Sequence, residues 1–342
     1  MQSPLLFLGL IGFDGSSEAA VGRLLSTVAH ARGMVAAHED QRPIWQIVDV
    51  LEADAFLVRG AGVVQVSGTQ LQFLPALHRT ASGAACGVDL NHLKSPYALS
   101  DITHLKSLGL SDDGLPVFSM NQETSLLKAL QLFEQLLRTE RSLYALAVEL
   151  TERRHEFDAD HTYHLERAGH LDAVVDLPQR RVMLRPGIRP TDVSADGWLR
   201  RPKSANFAPP HFVECSLIEL GWLYAMRRPQ VALPERYQSQ PIHIKHNPRV
   251  RSSLLYPRHS LLVDLLWESP HTMARLAKER PELKPWLMRD LYALYLTRSI
   301  STQKPMSLKD PASSLPSTFG DTQPSLLHSF GQRMNTVSAD LS

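Results

Sequence analysis

Seven basic side chains fall between residues 180 and 203, in company with only two acids. The guanidinium group of arginine can stack on a purine base and can pair with phosphate oxygens, so arginines at close spacing favour a nucleotide ligand. A carboxylate and a hydroxyl nearby could fix the orientation of that ligand. The predicted nucleotide-binding residues are Arg180, Arg181, Arg185, Asp192, Ser194, Arg200 and Arg201.

Part of this segment resembles the PilZ domains, which bind cyclic di-GMP. Those domains use an R-x-x-x-R pair and a D/N-x-S-x-x-G motif, and this chain has Arg181-x-x-x-Arg185 followed by Asp192-x-Ser194-x-x-Gly197. The two pieces are separated by only six residues, and the sequence around them does not predict the strands of a barrel. Cyclic di-GMP is therefore one predicted ligand, and a basic linker docked on an acidic surface is the alternative.

A second basic group lies near the end of the patterned sequence. Its members could reach phosphates or base edges from a helix in a DNA groove, or could contact an acidic protein. Glu279, Glu282 and Asp290 lie among them and reduce the local positive charge. The predicted nucleic-acid or partner contacts are Arg275, Lys278, Arg280, Lys284, Trp286, Arg289 and Arg298.

Three glycines follow the first apolar run with the spacing Gly9-x-x-Gly12-x-x-Gly15. Such spacing between a strand and a helix resembles a dinucleotide-binding fingerprint, with Glu39 or Asp40 in the place of the ribose-binding acid. Asp14 would put a carboxylate where phosphate charge should lie. The alternative is a strand whose glycines allow close packing.

The sequence predicts no catalytic residue, no cofactor and no metal. It contains no P-loop, no G-x-S-x-G sequence and no Cys/His nucleophile pattern. The histidines and acids from His155 to His170 have no fixed metal-ligand spacing. We therefore expect a protein that is not an enzyme.

The charge of the chain is divided along its length. Residues 1–178 contain 13 Lys/Arg and 22 Asp/Glu, whereas residues 179–302 contain 20 and 10. A basic half indicates an anionic partner, which can be the acidic half of the same chain. We expect that such docking masks the basic half and that high salt loosens it.

Two distant cysteines and the absence of a long apolar run favour a cytoplasmic protein. Cys86 and Cys215 cannot form a disulfide framework or a metal-binding pair by spacing. The apolar run Leu5–Phe13 is too short to cross a bilayer, which needs about 20 residues.

The N-terminal pattern predicts an α/β domain over residues 1–140. Apolar runs predict strands at 5–13, 34–37, 54–58 and 115–120, helices at 16–32 and 44–51, and a hairpin at 63–74. A long helix or helix pair is predicted to about residue 154. The alternation of strands and helices indicates a parallel sheet.

The C-terminal pattern predicts a mixed, mainly α part. Residues 141–258 are expected to hold a helical connector, a small hairpin at 173–184 and a basic, Pro-rich segment. The apolar pattern of residues 259–302 predicts three short helices of helix-turn-helix or winged-helix type. Residues 303–342 are rich in Ser, Thr, Pro and Gln, which predicts a disordered tail.

This order of elements resembles bacterial response regulators, in which a receiver domain precedes a helix-turn-helix output. The resemblance implies an acidic pair after the first strand, a phosphorylated Asp after the third and a Lys after the last. Here Asp14 is a single acid, Arg59 stands in the place of the phospho-acceptor, and Asn121 replaces the Lys. Because Arg59 cannot attack a phosphoryl group, the resemblance implies a degenerate receiver.

The leading functional prediction is a non-enzymatic bacterial signalling protein. Its pseudo-receiver would dock a partner, and its basic C-terminal part would bind DNA or a protein. A homodimer is compatible with this prediction. The alternatives are a cyclic di-GMP-responsive effector that uses residues 180–203 and a dinucleotide-binding enzyme that uses the glycine turn. A scaffold that binds only other proteins is a further alternative.

Overall fold

The computed structural model describes residues 3–33, 43–73, 87–111, 114–193 and 197–303. Over these ranges the chain is a mixed α/β structure. It has a four-stranded parallel sheet, antiparallel sheets of five and three strands, and a two-stranded antiparallel ladder. No helix of the described ranges combines the length and the apolar character needed to cross a membrane.

The first half is built on a four-stranded parallel sheet. Its strands are β1 (Leu5–Ile11), β2 (Ile44–Val48), β3 (Ala55–Arg59) and β7 (Tyr97–Ser100). They lie in the order β2-β1-β3-β7, and Val117 adds a single parallel bridge to Leu99 beyond β7. The three helices of this half are α1 (Gly15–Gly33), α2 (Ile102–Ser107) and α3 (Glu123–Leu136).

Both faces of the parallel sheet are covered. On one face, Leu6 and Leu8 pack in a cluster with Leu130 and Phe133 of α3. The other face carries a small antiparallel sheet. Its residue Phe73 lies in one buried apolar cluster with residues of β1 and β3. Its strands are β4 (Val63–Ser67), β5 (Gln70–Phe73) and β6 (Gly87–Asp89).

The connection from β2 to β3 leaves part of this second face open. It crosses β1 in six residues, with only a 3₁₀ turn at Val50–Glu52. A parallel crossover usually takes a dozen or more residues and includes a helix, so this one cannot cover the face that it crosses. Phe7 lies there and is nevertheless 1% exposed, because C-terminal helices cover it.

The second half begins with a five-stranded antiparallel sheet. The hairpin predicted at residues 173–184 is present in it as two paired antiparallel strands, whereas the other strands replace the predicted connector and extended Pro-rich segment. The strand order is β11-β8-β9-β10-β12. Helix α4 is not a connector, because its residues Leu143, Leu146 and Ala147 pack on this sheet. The elements are α4 (Arg138–Glu152), β8 (Thr162–Arg167), β9 (His170–Asp176), β10 (Arg181–Leu184), α5 (Pro190–Val193), β11 (Trp198–Arg201) and β12 (Val213–Ser216).

The chain ends its described part in a helical module, as the pattern predicted. The three predicted helices are present, and Ile300–Ser301 forms a short strand that pairs with His243–Ile244. Helix α6 connects this module to the antiparallel sheet. The elements are α6 (Leu217–Arg227), α7 (Glu235–Ser239), β13 (His243–Ile244), α8 (Pro257–Glu268), α9 (Met273–Glu279), α10 (Leu287–Leu296) and β14 (Ile300–Ser301).

The buried apolar clusters divide the chain between Leu137 and Leu143. Two clusters contain only residues up to Leu137, and two contain only residues from Leu143 onward. Within the described residues, no buried apolar cluster therefore spans both halves.

Several local predictions differ from the structure. Residues 44–48 form a strand where a helix was predicted. Strand β7 lies in a stretch whose sequence has no clear periodicity. Of the predicted strand 115–120, only Val117 forms a β-bridge, to Leu99. The predicted strand 34–37 and the predicted tail from 304 onward lie outside the described residues.

Candidate functional site

Two groups of charged side chains are candidates for function. The first lies at the carboxyl edge of the parallel sheet, where Asp14 follows β1 and Arg59 ends β3. Arg59 Nη1 donates to Asp14 Oδ2 at 2.6 Å and to Ser17 Oγ at 2.9 Å. Asp14 also accepts the Ser17 amide at 2.8 Å and so caps α1. Hydrogen bonds from Ser16, Ser17 and Arg59 hold the pKa of the Asp14 carboxyl well below its usual range.

This pair occupies the position at which open α/β sheets usually bind ligands. Strands β1 and β3 are neighbours, whereas the chain leaves β1 toward β2 on the other side, and that reversal creates a crevice. Arg59 places a permanent cation in it. The Asp14 carboxylate is therefore paired with a cation, and Arg59, in the place of the phospho-acceptor, cannot accept a phosphoryl group.

Two further residues of this edge were not predicted. Ser100 ends β7 and donates from Oγ to Asp101 Oδ2 at 2.7 Å. Asp101 has φ of 52°, a left-handed conformation that is uncommon for a residue with a side chain. The surrounding sequence has no clear pattern, and the only available signal was an acid next to a serine. Nowhere in the described ranges do three or more His, Cys, Asp or Glu side chains come together as a metal site.

The glycines of the first turn are used for packing. A Cβ at Gly9 would lie 2.7 Å from the Phe56 ring, and one at Gly12, whose φ is 76°, would lie 2.6 Å from the Phe73 ring. Aromatic rings thus fill the space that a pyrophosphate would need. These contacts favour the packing alternative over the dinucleotide fingerprint; Glu39 and Asp40 lie outside the described residues.

The second group joins the two halves of the chain. Arg227, at the end of α6, forms a two-pronged pair with Asp54, which immediately precedes β3. Its Nη2 donates to Asp54 Oδ1 at 2.5 Å, and its Nη1 donates to Oδ2. Asp54 Oδ2 also accepts the backbone amide of Phe7 at 2.8 Å, which fixes the carboxylate against β1. Both charged side chains are largely buried.

A second buried pair lies beside the first. Arg258, in the first turn of α8, contacts Glu52 of the β2–β3 crossover and donates from Nε to Asp290 Oδ2 at 2.9 Å. His259 accepts the Tyr256 amide on Nδ1 at 2.9 Å, so its Nε2 proton points to Asp290 Oδ1 at 3.0 Å. One cation thus links an acid of the N-terminal half to an acid of α10.

Aromatic rings enclose these charges. The Arg258 guanidinium lies 4.8 Å from the Tyr256 ring centre and 4.6 Å from that of Trp286. Arg227 lies 4.9 Å from the Phe7 ring centre, and the Phe7 and Trp286 rings meet edge to face at 5.9 Å. Such cation–ring contacts strengthen when water is excluded. We call the set Phe7, Glu52, Asp54, Arg227, Tyr256, Arg258 and Trp286 the docking cluster.

Burial shifts the proton affinities in and beside the docking cluster. Burial raises the pKa of Glu52 despite the opposing effect of Arg258, and it raises that of Tyr256. Burial also acts to raise the pKa of Asp290, but His259 and Arg258 outweigh it and leave that pKa lowered. For Arg227, the Asp54 charge overcomes burial and raises the pKa, so the guanidinium stays charged.

The residues predicted for nucleic-acid or partner contact are divided between two environments. Trp286 belongs to the docking cluster, and Arg289 donates to the carbonyl oxygens of Arg228 and Pro229 at 3.2 and 3.3 Å. No residue from Leu287 to Thr297 is exposed, so α10 offers no free face to a DNA groove.

The other members of that group are exposed. Arg275 pairs with Glu279 at 2.6 Å, and Arg280 lies 3.9 Å from Glu282. Lys278, Lys284 and Arg298 are also exposed. The acids among these residues therefore neutralise part of the predicted basic surface.

The residues predicted for nucleotide binding are spread over the antiparallel sheet, and most of the arginines among them pair with acids. The strands that carry them are separated by β8 and β9. Arg180 is exposed, with φ of 55°, and Ser194 lies outside the described residues. The ion pairs are Arg181–Asp176, Arg185–Asp172, Arg189–Asp192, Arg200–Asp158 and Arg201–Glu166.

Asp192 is also held by Arg167. Burial acts to raise the pKa of Asp192, but hydrogen bonds from Arg167 and Arg189 outweigh it and lower the pKa to about 2. A nucleotide phosphate would have to displace such carboxylates.

Comparison with known proteins gave no match. No family model fits the chain, and neither a curated protein nor a solved structure is significantly similar to it.

Proposed function

We propose that this chain is a non-enzymatic regulatory protein whose N-terminal α/β domain docks on its own C-terminal helices and covers a basic, aromatic surface. The observation that carries the proposal is the docking cluster. Glu52 and Asp54 of the acidic half bind Arg258 and Arg227 of the basic half.

The chemistry of the docking cluster suits a contact that opens. Within the described ranges the halves share no buried aliphatic cluster, and in the docking cluster they meet through charged and aromatic groups. Interfaces between domains that move relative to one another are typically polar in this way. A buried charge pair adds little net stability compared with an apolar contact, but it penalises wrong arrangements strongly. The cluster thus favours one docked arrangement without a large apolar interface.

The arrangement at the carboxyl edge supports a pseudo-receiver. The strand order β2-β1-β3-β7, with Val117 beyond, is the doubly wound order in which a signal-dependent site would lie beside Asp14. Arg59 supplies the neutralising charge permanently. Regulation through this domain then depends on docking rather than on phosphorylation.

The C-terminal module is the proposed output. Ile242 at the start of β13 bridges to His271, and β13 pairs with β14 on its other side, which supports a winged-helix-like core around α8, α9 and α10. Undocking would expose Arg227, Arg258 and Trp286. Arg258 and Arg289 lie against the indole, and these cations suit an anionic partner, either DNA or an acidic protein.

The proposal is tested by weakening the cluster and measuring binding. The double substitution Glu52→Gln with Asp54→Asn keeps side-chain size and removes both acidic charges. We expect it to bind a fluorescent DNA duplex or an acidic peptide at least about tenfold more tightly than the unchanged chain, by fluorescence anisotropy.

The control is Asp160→Asn with Glu235→Gln, which removes two exposed acids outside the docking cluster. The control has the same net charge as the test variant, so a general electrostatic effect would appear in both. Equal affinities for both variants, or no gain in either, would contradict the proposal.

A further inference from the structure

A second interaction surface lies on the C-terminal module away from the docking cluster. Its centre is Trp267, near the end of α8, whose side chain is 54% exposed. The indole Nε1 donates to Asn247 Oδ1 at 2.9 Å. The ring is therefore held in place while much of its surface stays in water. Tryptophan is one of the residues enriched among those that contribute most binding energy to protein interfaces.

Basic residues lie in the chain segments next to this ring. The segment 243–251 contains three Lys/Arg and no Asp/Glu. The backbone amide of Lys245 donates to the Ser299 carbonyl at 2.7 Å. This hydrogen bond places Arg298, the neighbour of Ser299, beside the same segment. Lys245, Arg249 and Arg298 are exposed, and within the described part of the chain none of them forms an ion pair. In contrast, Arg275 of the sequence-predicted group is paired with Glu279.

We propose that Trp267, Lys245, Arg249 and Arg298 bind an acidic segment of a partner protein that carries an apolar side chain. The apolar group packs on the indole, and the carboxylates pair with the three cations. This surface is open while the halves are docked, so the proposal does not depend on the proposed function.

The acids nearby distinguish a protein from a nucleic acid. Asp264, one helical turn before Trp267, and Glu268 beside it are exposed. A nucleic-acid strand carries a phosphate on every nucleotide and would bring some of them close to these carboxylates. A polypeptide can place its acids at the cations and neutral residues elsewhere, so charge complementarity favours an acidic peptide.

The test uses a short fluorescein-labelled peptide in which glutamates alternate with leucines, and an oligothymidylate of similar length. Fluorescence anisotropy is measured with the full chain. We expect the peptide to bind, and Trp267→Ala to weaken binding at least about tenfold. Lys245→Glu with Arg249→Glu should weaken it similarly, with a smaller salt dependence.

Two matched variants serve as controls. Phe207→Ala removes another exposed aromatic side chain, in the segment between β11 and β12, and Lys278→Glu with Lys284→Glu reverses two exposed charges elsewhere in the module. Both should leave peptide affinity within about twofold of the unchanged chain.

Four outcomes would overturn the proposal. The first is no peptide binding, and the second is equal losses in the test and control variants. The third is binding of oligothymidylate alone, which would assign the surface to nucleic acid. A gain of binding only after weakening of the docking cluster would instead support the proposed function and contradict this inference.

Discussion

Removal of the Asp54 charge tests how strongly the two halves depend on each other. Asp54→Asn keeps the size of the side chain and an oxygen that can accept the Phe7 amide, now 2.8 Å from Asp54 Oδ2. It leaves the buried Arg227 guanidinium without its counter-ion, with the neutral amide oxygen at position 54 and the Leu5 carbonyl at 3.4 Å as acceptors. The perturbation is therefore the loss of a buried charge partner rather than the loss of packing.

The expected size follows from the cost of a buried, unpaired charge. Removing one partner of a buried pair costs about 3–5 kcal/mol of unfolding free energy. A loss of 1 kcal/mol lowers the melting temperature by about 2–4 °C in a domain of this size class, so a fall of about 6–20 °C is expected. Since the pair is buried, high salt should change this loss little. The burial also revises the expectation that salt alone separates the halves.

Urea denaturation followed by circular dichroism measures the loss, with Asp160→Asn as the exposed control. The double variant Asp54→Asn with Arg227→Met removes both charges and should recover much of the stability, because no buried charge remains. A loss below about 1 kcal/mol for Asp54→Asn, or no recovery in the double variant, would refute the reasoning.

Three further substitutions test other parts of the account. Asp192→Asn should destabilise the chain at neutral pH, because the pKa of Asp192 is lowered to about 2. The difference in unfolding free energy between this variant and the unchanged chain should shrink as the pH falls from about 4 toward 2. A difference that does not depend on pH would contradict this prediction. Arg59→Ala breaks a partly exposed pair and should cost no more than about 1 kcal/mol in urea denaturation, so a larger loss would give Arg59 a greater structural role. Trp286→Ala should cost about 3 kcal/mol by the same assay, because the ring packs on Phe7 and between two guanidinium groups. A loss below about 1 kcal/mol would show that the docking cluster contributes little.

Local pattern predicted those elements whose apolar residues face one core. The run at β1, the hairpin of β4 and β5 and the three helices α8–α10 are of this kind. The strand at 44–48 was missed because Pro43 and nearby apolar spacing imitate a helix start, whereas pairing with β1 decides the structure. Likewise β8 contains polar and histidine residues that hide its alternation.

One missed boundary did carry a local signal. Val213–Arg227 reads as a single helix from its apolar residues, yet Ser216-x-x-Glu219 is a capping box. The structure begins α6 at Leu217 with both capping hydrogen bonds present, and β12 precedes it. The capping sequence could have separated strand from helix.

The candidate sites differ in how far the sequence reveals them. Asp14 and Arg59 follow strands of one parallel sheet, and the resemblance to receivers placed them at one edge. The docking cluster joins Asp54 to Arg227 across 173 residues, and no local pattern encodes such a pair. Only the opposite charge of the two halves indicated that they could meet.

Hydrogen exchange of the Glu52→Gln, Asp54→Asn double variant tests the central claim most directly. If the docking cluster holds the halves together, amides of β1, the end of α6 and the start of α8 will exchange faster than in the unchanged chain. Amides of β9 and β10, which pack in a separate cluster, will keep their protection. Unchanged exchange throughout, or an equal increase in every element, would contradict the account.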